Sequence, residues 1–450
     1  MKKIIGLLLA VLMLMSVLPV SAFAVDFDFI HKGVINYNEV EFDHKFNVGN
    51  YTDLKNAIAC IKNDDVALVN LVNDVTIESE LDIDEMCTIF FTGGHNFILG
   101  SDRGFELNAG YTYLIFDGVG FYHSGNHDAR LRGHAIYVDA ANCIIYGARF
   151  EKTGSRKPEI GGNVSSWAGG AVYINSSGIR CRIDKCKFYN CGTQSDGGAV
   201  YVGATTCKIT GCYFEGCEAF SEGGAVFING YGCTISGCTF KGCKGSGGAV
   251  YVYGEWATID NCVFNSCSSH AIYVNDNNCQ IWTSEFTDCH APNDGGALYI
   301  NDKKCYTYFC IFSNCYVEKK SQSGDYSGGA AYVDDYWGEE VTFEKCSFDD
   351  CYCPYKGQYV YGGNVTTILN CYPSTQDNAL FYKCSFTTPG ILGGFFGSTF
   401  SNGSVWVVAG IGAVAVVAVA VIIVKKKKKK AAADVTEGTA ETEETAETEE

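Results

Sequence analysis

Apolar positions in the middle of this chain recur in short bursts instead of along a helical stripe. In CKITGCYFEGC, Cys207 and Ile209 lie two apart, a step of three leads to Cys212, and Cys212 and Phe214 are again two apart. Spacing by two puts side chains on one face of a strand, and the step of three predicts a bend between two strands. A helix would need apolar residues three and four apart over about ten positions, and glycine interrupts that pattern throughout. Copies of the segment stand at Cys181 (CRIDKCKFYNC), Cys233 (CTISGCTFKGC) and Ala257 (ATIDNCVFNSC). A second signature alternates with them: GGAVYI at Gly169, GGAVYV at Gly197, GGAVFI at Gly223 and GGAVYV at Gly247, each ending in strand formers. The unit returns every 22 to 28 residues here, with looser copies on both sides. A fixed period of this size marks a solenoid. Each unit holds two or three strands joined by bends, enough for one coil of a parallel β-helix and too short for a βαβ unit.

Stacking completes the argument. One coil cannot satisfy its own backbone or bury its apolar face, whereas a stack pairs each strand with the coils about 4.8 Å above and below. Like residues then fall into columns. Val172, Val200, Val226, Val250, Ile272 and Leu298 are expected to form one inward column, and Phe188, Phe214, Phe240, Phe264, Phe286, Phe312 and Phe348 another.

The flanks divide the chain further. Residues 1–24 read as a signal peptide, with Lys2 and Lys3 before an apolar run and Ala22-Phe23-Ala24 at the cleavage site. Residues 25–64 form an N-terminal segment whose helix, Asp53–Ile61 with Thr52 as its cap, is expected to plug the open end of the solenoid. The β-helix itself is assigned to 65–388, with its largest excursions at 152–168 and 316–327. A Gly/Ser/Thr-rich linker follows at 389–404, and 405–424 is an uncharged apolar run long enough to cross a bilayer. Six lysines directly behind it, Lys425–Lys430, read as a stop-transfer block, and the acidic remainder of 425–450 as a disordered cytoplasmic tail. The expected localisation is therefore the cell membrane, single-pass, with an extracellular ectodomain.

Charge and cysteine sharpen this picture. The ectodomain carries about −18, which excludes nucleic acid as a partner. Eighteen of the 24 cysteines fall at positions zero, five and ten of the repeat, as Cys181, Cys186 and Cys191 do. Dense cysteine in an exported chain ordinarily means disulfides. Columns of five, six and seven members cannot all pair internally, so stacked, largely free thiols packing as small hydrophobes are favoured here.

Two sets of residues are candidates for function. If Val200 and Val202 point inward, Tyr201 points out, and Tyr137, Tyr173, Phe227, Tyr251, Tyr273, Tyr299 and Tyr332 extend it into an exposed aromatic stripe able to carry sugar rings or a protein partner. Asp196, Glu222 and Asp294 stand just before the paired glycines, and Asp196 and Glu222 are one coil apart, the arrangement of a two-carboxylate glycosidase. They belong to the repeat instead of interrupting it, which favours turn carboxylates with at most weak calcium binding and no other cofactor. His134 and His270 replace the second glycine of the signature and read as residues tolerated at a bend.

The GGA signature followed by Ile, Leu or Val, with the Phe-centred segment, resembles the repeats of the chlamydial polymorphic outer membrane proteins and related adhesin-like right-handed β-helix proteins. Their FxxN mark appears here as FxxC, at Cys191, Cys217, Cys243, Cys267, Cys289, Cys315 and Cys351. The resemblance spans roughly 130–355 and implies an all-β, right-handed parallel β-helix of the pectin lyase-like kind. With the N-terminal capping helix and the C-terminal transmembrane helix, it yields the expectation of a non-catalytic, cell-surface adhesin-like protein recognising glycans or host or neighbouring cell-surface proteins. The alternative is a membrane-anchored polysaccharide lyase or glycoside hydrolase.

Overall fold

The computed structural model describes residues 37, 40–100, 104–123, 134–154, 168–301, 304–318, 327–334, 340–353, 359–369 and 381–387, all within the compact unit Met1–Thr387. They form a right-handed parallel β-helix entered through one short helix. Each coil supplies three principal strands: one after the paired glycines, as Val200–Val202; one after the first cysteine, as Lys208–Thr210; and one around the phenylalanine, as Tyr213–Glu215. Every strand pairs in parallel with its counterparts in adjacent coils, so Val172, Val200, Val226, Val250, Ile272 and Leu298 lie in one register column. Phe188 to Phe348 lie in another, as the spacing predicts. The first coils obey the same register: Leu81–Ile83 pairs with Phe105–Leu107, and that strand with Ile136–Val138.

The paired glycines are demanded by the bend. Gly197 has φ +67°, and a Cβ on Gly198 would lie 2.0 Å from the carbonyl oxygen of Gly224 in the next coil. No side chain fits there without moving the backbone.

Inside, all the repeat cysteines are buried and carry free thiols. The repeat thiols find carbonyl acceptors: Cys212 Sγ donates to Ile183 O at 3.4 Å, Cys238 Sγ to Ile209 O at 3.6 Å and Cys217 Sγ to Phe188 O at 3.6 Å. Burial pushes the thiols of Cys212, Cys217, Cys267 and Cys289 upward, so they stay protonated and unreactive.

The entry helix, α1, runs from Tyr51 to Cys60, and its cap is Asn50, two residues before the expected Thr52. Asn50 accepts from the Asp53 N–H at 3.0 Å, and the Asp53 carboxylate accepts in return from Asn50 Nδ2 at 2.9 Å and Gly49 N at 3.2 Å. That reciprocal pair outcompetes a threonine one residue into the helix. Leu54, Ala57 and Ile58 are buried against the first core residues.

The expected architecture is corrected at its C-terminal end. Among the described residues no helix is long and apolar enough to cross a membrane, and the 405–424 run lies outside them. The fold is thus a β-helix with one short helix, and the membrane partnership and single-pass localisation drop out of the description. The signal segment 1–24, the linker 389–404, the tail 425–450 and most of the two excursions also lie outside the described residues.

Candidate active site

The strands after the paired glycines carry the aromatic column. Tyr173, Tyr201, Phe227, Tyr251, Tyr273 and Tyr299 stack at 4.6–5.3 Å between centroids, within 14° of parallel, and Tyr332 continues the column at 4.9 Å from Tyr299. This corrects the expectation of an exposed stripe. Coil spacing is also ring-stacking spacing, so each ring covers the faces of its neighbours, and Phe227 and Tyr251 are only 7% and 6% exposed. Ring faces are therefore closed to sugars, and what the column offers outward is edges and hydroxyls. Burial raises the phenols of Tyr201, Tyr251, Tyr273 and Tyr299 and keeps them protonated.

Along the glycine edge of this column run the carboxylates. The Glu222 N–H donates to Asp196 Oδ1 at 3.2 Å, tying the two turns together, and burial with the Asp196 charge holds the Glu222 carboxyl up. Asp294 is more perturbed. Burial pushes it up to about 6, the charge of Asp334 adds to the shift, and the Ser327 N–H, donating to Asp294 Oδ1 at 2.7 Å, opposes it. Both acidic groups also act on Tyr299, whose phenol rises further beside them.

His270 joins the same cluster. Its imidazole contacts the Gly295 carbonyl through Nδ1 at 2.7 Å and lies 5.7 and 5.4 Å from the rings of Tyr273 and Tyr299. Burial lowers it to about 4, so it is neutral at pH 7, and Nδ1 carries the proton donated to that carbonyl. His134 repeats the arrangement one end away, 2.6 Å from Gly169 O and stacked 4.9 Å from Tyr173. The bend reading for these histidines thus captured their position and missed their contact with the tyrosines.

Asp294, Tyr299 and Asp334 are coupled by charge, and His270 packs against Tyr299, so the four form a second constellation beside Asp196 with Glu222. A carboxyl near 6 is matched to proton transfer around neutrality, and a phenol locked in its protonated form is a donor. Asp334 escaped sequence reasoning because it belongs to a different coil, 40 residues beyond Asp294. Among the described residues no group of three His, Cys, Asp or Glu is arranged to hold a metal ion.

Comparison with known proteins completes the picture. No curated protein matches the chain by sequence. Among solved structures, the alginate lyase AlyF-OU02 in complex with G6 superposes with TM-score 0.52 at 11% identity, covering 78% of this chain and 86% of its own. A PL6 alginate lyase in complex with a trisaccharide superposes with TM-score 0.53, again at 11% identity over 78% and 86% of the two chains. Likeness at that identity establishes the fold.

These matches correct the expected kinship with the chlamydial outer membrane proteins. The two structures that superpose here are described as alginate lyases, and the GGA signature behind the resemblance is what the bend geometry at Gly197 and Gly198 requires, whatever the function. The adhesin-like, non-catalytic reading built on that kinship is overturned with it. The model of the right-handed β-helix region matches residues 152–309 and again 223–404, together more than half of the sequence, and the chain belongs to that family.

Proposed function

We propose that the protein is a polysaccharide lyase, cleaving a uronate-containing glycan by β-elimination on the face formed by the strands after the paired glycines. The observation that carries the reading is Asp294, a carboxyl raised to about 6 beside the protonated phenol of Tyr299. The two superposing structures, described as alginate lyases, support the class. β-Elimination needs a base for the proton α to the sugar carboxylate and an acid for the departing glycosidic oxygen. Asp294 is assigned as the base and Tyr299 as the acid. His270, neutral and bonded to the Gly295 carbonyl, positions the turn bearing Asp294. Glu222 and Asp196 lie farther along the same edge, where burial and the Asp196 charge hold the Glu222 carboxyl up.

The test is incubation of the full chain with uronate polysaccharides, reading the ultraviolet absorbance of the unsaturated product. Asp294→Asn and Tyr299→Phe are each expected to lower the rate about 100-fold or more. Undiminished product from Asp294→Asn, or new reducing ends without absorbance, overturns the reading, the second outcome in favour of hydrolysis. Because the chain carries a net charge of −18 and the proposed substrate is a polyanion, moderate salt is expected to raise kcat/KM by screening their repulsion.

A further inference from the structure

A second surface departs from the repeat, on the outer face of the strands that follow the first cysteine. In the middle coils the outward pairs there are polar: Lys208 and Thr210, Thr234 and Ser236, Thr258 and Asp260. In the next two coils they become Gln280 and Trp282, then Tyr306 and Tyr308, in direct register. The bend that follows is occupied by Gly211, Gly237 and Asn261 in earlier coils, residues that accept a left-handed backbone. In the later coil it holds Phe309 at φ +52°, a bulky side chain in a conformation it rarely adopts.

The rings form an open cluster. Trp282 and Tyr308 stand 6.0 Å apart at 60°, and Tyr308 and Phe309 stand 4.3 Å apart at 73°. Trp282 is 36% and Phe309 37% exposed, so both present surface to solvent, unlike the closed tyrosine column. Polar groups are fixed at the rim: Lys345 Nζ donates to Tyr308 OH at 2.7 Å and pairs with Glu344 Oε1 at 3.0 Å, and the Tyr306 hydroxyl bonds to Glu344 Oε2. Lys345 also lies over the rings of Tyr308 and Phe309, at 4.7 and 5.1 Å. Its charge and that of Glu344 cancel, and Asp260 stands in register beside Trp282 at the edge of the aromatic platform.

We propose that Trp282, Tyr306, Tyr308, Phe309, Glu344 and Lys345 form a non-catalytic saccharide-binding subsite that takes pyranose rings of a polysaccharide. A pyranose presents a C–H face to aromatic rings and hydroxyls to donors and acceptors at its edge, and both partners are present here. An apolar segment of chain is a poorer fit. The one such segment the structure describes, Tyr37, Val40 and Phe42, already has its place at the other end, where it covers Phe90, Ile115 and Tyr146. The subsite takes its ligand class from the lyase reading but lies on different strands from Asp294 and Tyr299, and so holds substrate without acting on it.

The test is oxidation of tryptophan by N-bromosuccinimide with peptide mapping, on the full chain carrying Asp294→Asn so that no turnover intervenes. One arm contains a uronate oligosaccharide, a second a neutral one, and a third none. Trp282 is expected to oxidise in the free protein and to be protected by saccharide, while Trp256, 48% exposed elsewhere, oxidises in all arms. Protection by the uronate alone identifies a charged-sugar subsite, and protection by both a site for the ring itself. In affinity electrophoresis Trp282→Ala is expected to weaken retention about tenfold and Trp282→Phe much less. Failure of Trp282 to oxidise in the free protein means that another part of the chain or a second copy covers it, and overturns the proposal. So does equal oxidation in all three arms, or undiminished retention of Trp282→Ala. Loss of cleavage in Asp294→Asn is scored separately, so either reading can fail alone.

Discussion

The coils from Val172 to Cys267 and those from His270 to Cys351 share one backbone and differ in how strictly they keep the repeat. Both hold the phenylalanine ladder, with neighbours 4.6–5.1 Å apart and within 7° of parallel. The first region repeats its inward Ile183, Ile209, Ile235 and Ile259 without exception. In the second, Thr307 takes the isoleucine place, Ser284 a cysteine place, His270 a glycine place and Phe309 the left-handed bend. Ser284 shows which departures are harmless. Its hydroxyl donates to Trp282 O at 2.8 Å and accepts from Cys262 N at 3.2 Å, the same local bonding that Cys212 obtains from Thr210 O at 3.5 Å. The exchange also explains the cysteines, which act as small apolar groups with one weak bond to give. Asp294 and Trp282, the residues to which the proposals assign a chemical role, both lie in the irregular region. Strict repetition builds the rod, and its interruptions mark where something else was selected.

The largest effect is expected from breaking what both regions share. Phe240→Ala and Phe312→Ala each remove a fully buried ring flanked by two others, and each should destabilise the fold by about 3–5 kcal/mol in denaturant unfolding. Similar losses in the two regions would locate the common stabilisation in the ladder. A Phe312→Ala loss below about 1 kcal/mol would mean that the irregular coils are loosely packed.

Restoring the repeat should do the opposite, beginning with His270→Gly. The folded imidazole is held at about 4, below its ordinary 6.5, so the unfolded chain takes up the proton first as pH falls. Stability is complete above 6.5 and is lost on descent to about 4, by on the order of 2 kcal/mol near pH 4.5. At pH 7 the variant loses the bond to Gly295 O and the contacts with Tyr273 and Tyr299 but relieves a φ of +83°, and little net change is expected. Near pH 4.5 the variant should melt at the higher temperature. Parallel melting curves of the two proteins from pH 7 to pH 4.5 would remove His270 as the source of acid sensitivity.

Thr307→Val comes next. Thr307 is fully buried between Ile281 and Phe343, and its hydroxyl has no hydrogen-bond partner. Replacing the hydroxyl by a methyl of similar size should stabilise by about 1–2 kcal/mol. A destabilised variant would reveal that the hydroxyl is bonded in solution.

These contrasts show how far the sequence was legible. Period-two spacing with a fixed return determines register, so the columns at Val172 and Phe188 could be written down residue by residue. The tyrosine column was legible as a column, but its openness was not, because exposure depends on neighbours one coil away that cover each ring. Asn50 lost to Thr52 as the expected cap because the return bond from Asp53 is a matter of geometry. Asp294 looked like any turn carboxylate, since what distinguishes it, the Ser327 N–H and the Asp334 charge, arrives from the following coil 33 and 40 residues later. Trp282 and Phe309 read as loose copies of the repeat, where looseness itself was the signal.

Asp294→Asn tests the division between rod and site with the smallest expected change in stability. The folded carboxyl titrates near 6, above its ordinary 3.8, so the native state binds the proton more tightly than the unfolded chain does. Its contribution is therefore fully present below 3.8 and is lost as pH rises to about 6, and above that pH the ionised group opposes folding. Asparagine keeps an oxygen to accept from Ser327 N and carries no charge to bury. The variant should accordingly be more stable than the wild type at pH 7 by about 1 kcal/mol, a figure discounted for the partial solvent exposure of the group. At pH 4 the two proteins should be equally stable. A residue that serves only the turn would be replaced at a loss or with no effect, whereas one kept for proton transfer is held against the interest of the fold. A less stable Asp294→Asn at pH 7 would make Asp294 a structural turn carboxylate like Asp196, and the search for the base would move to Glu222.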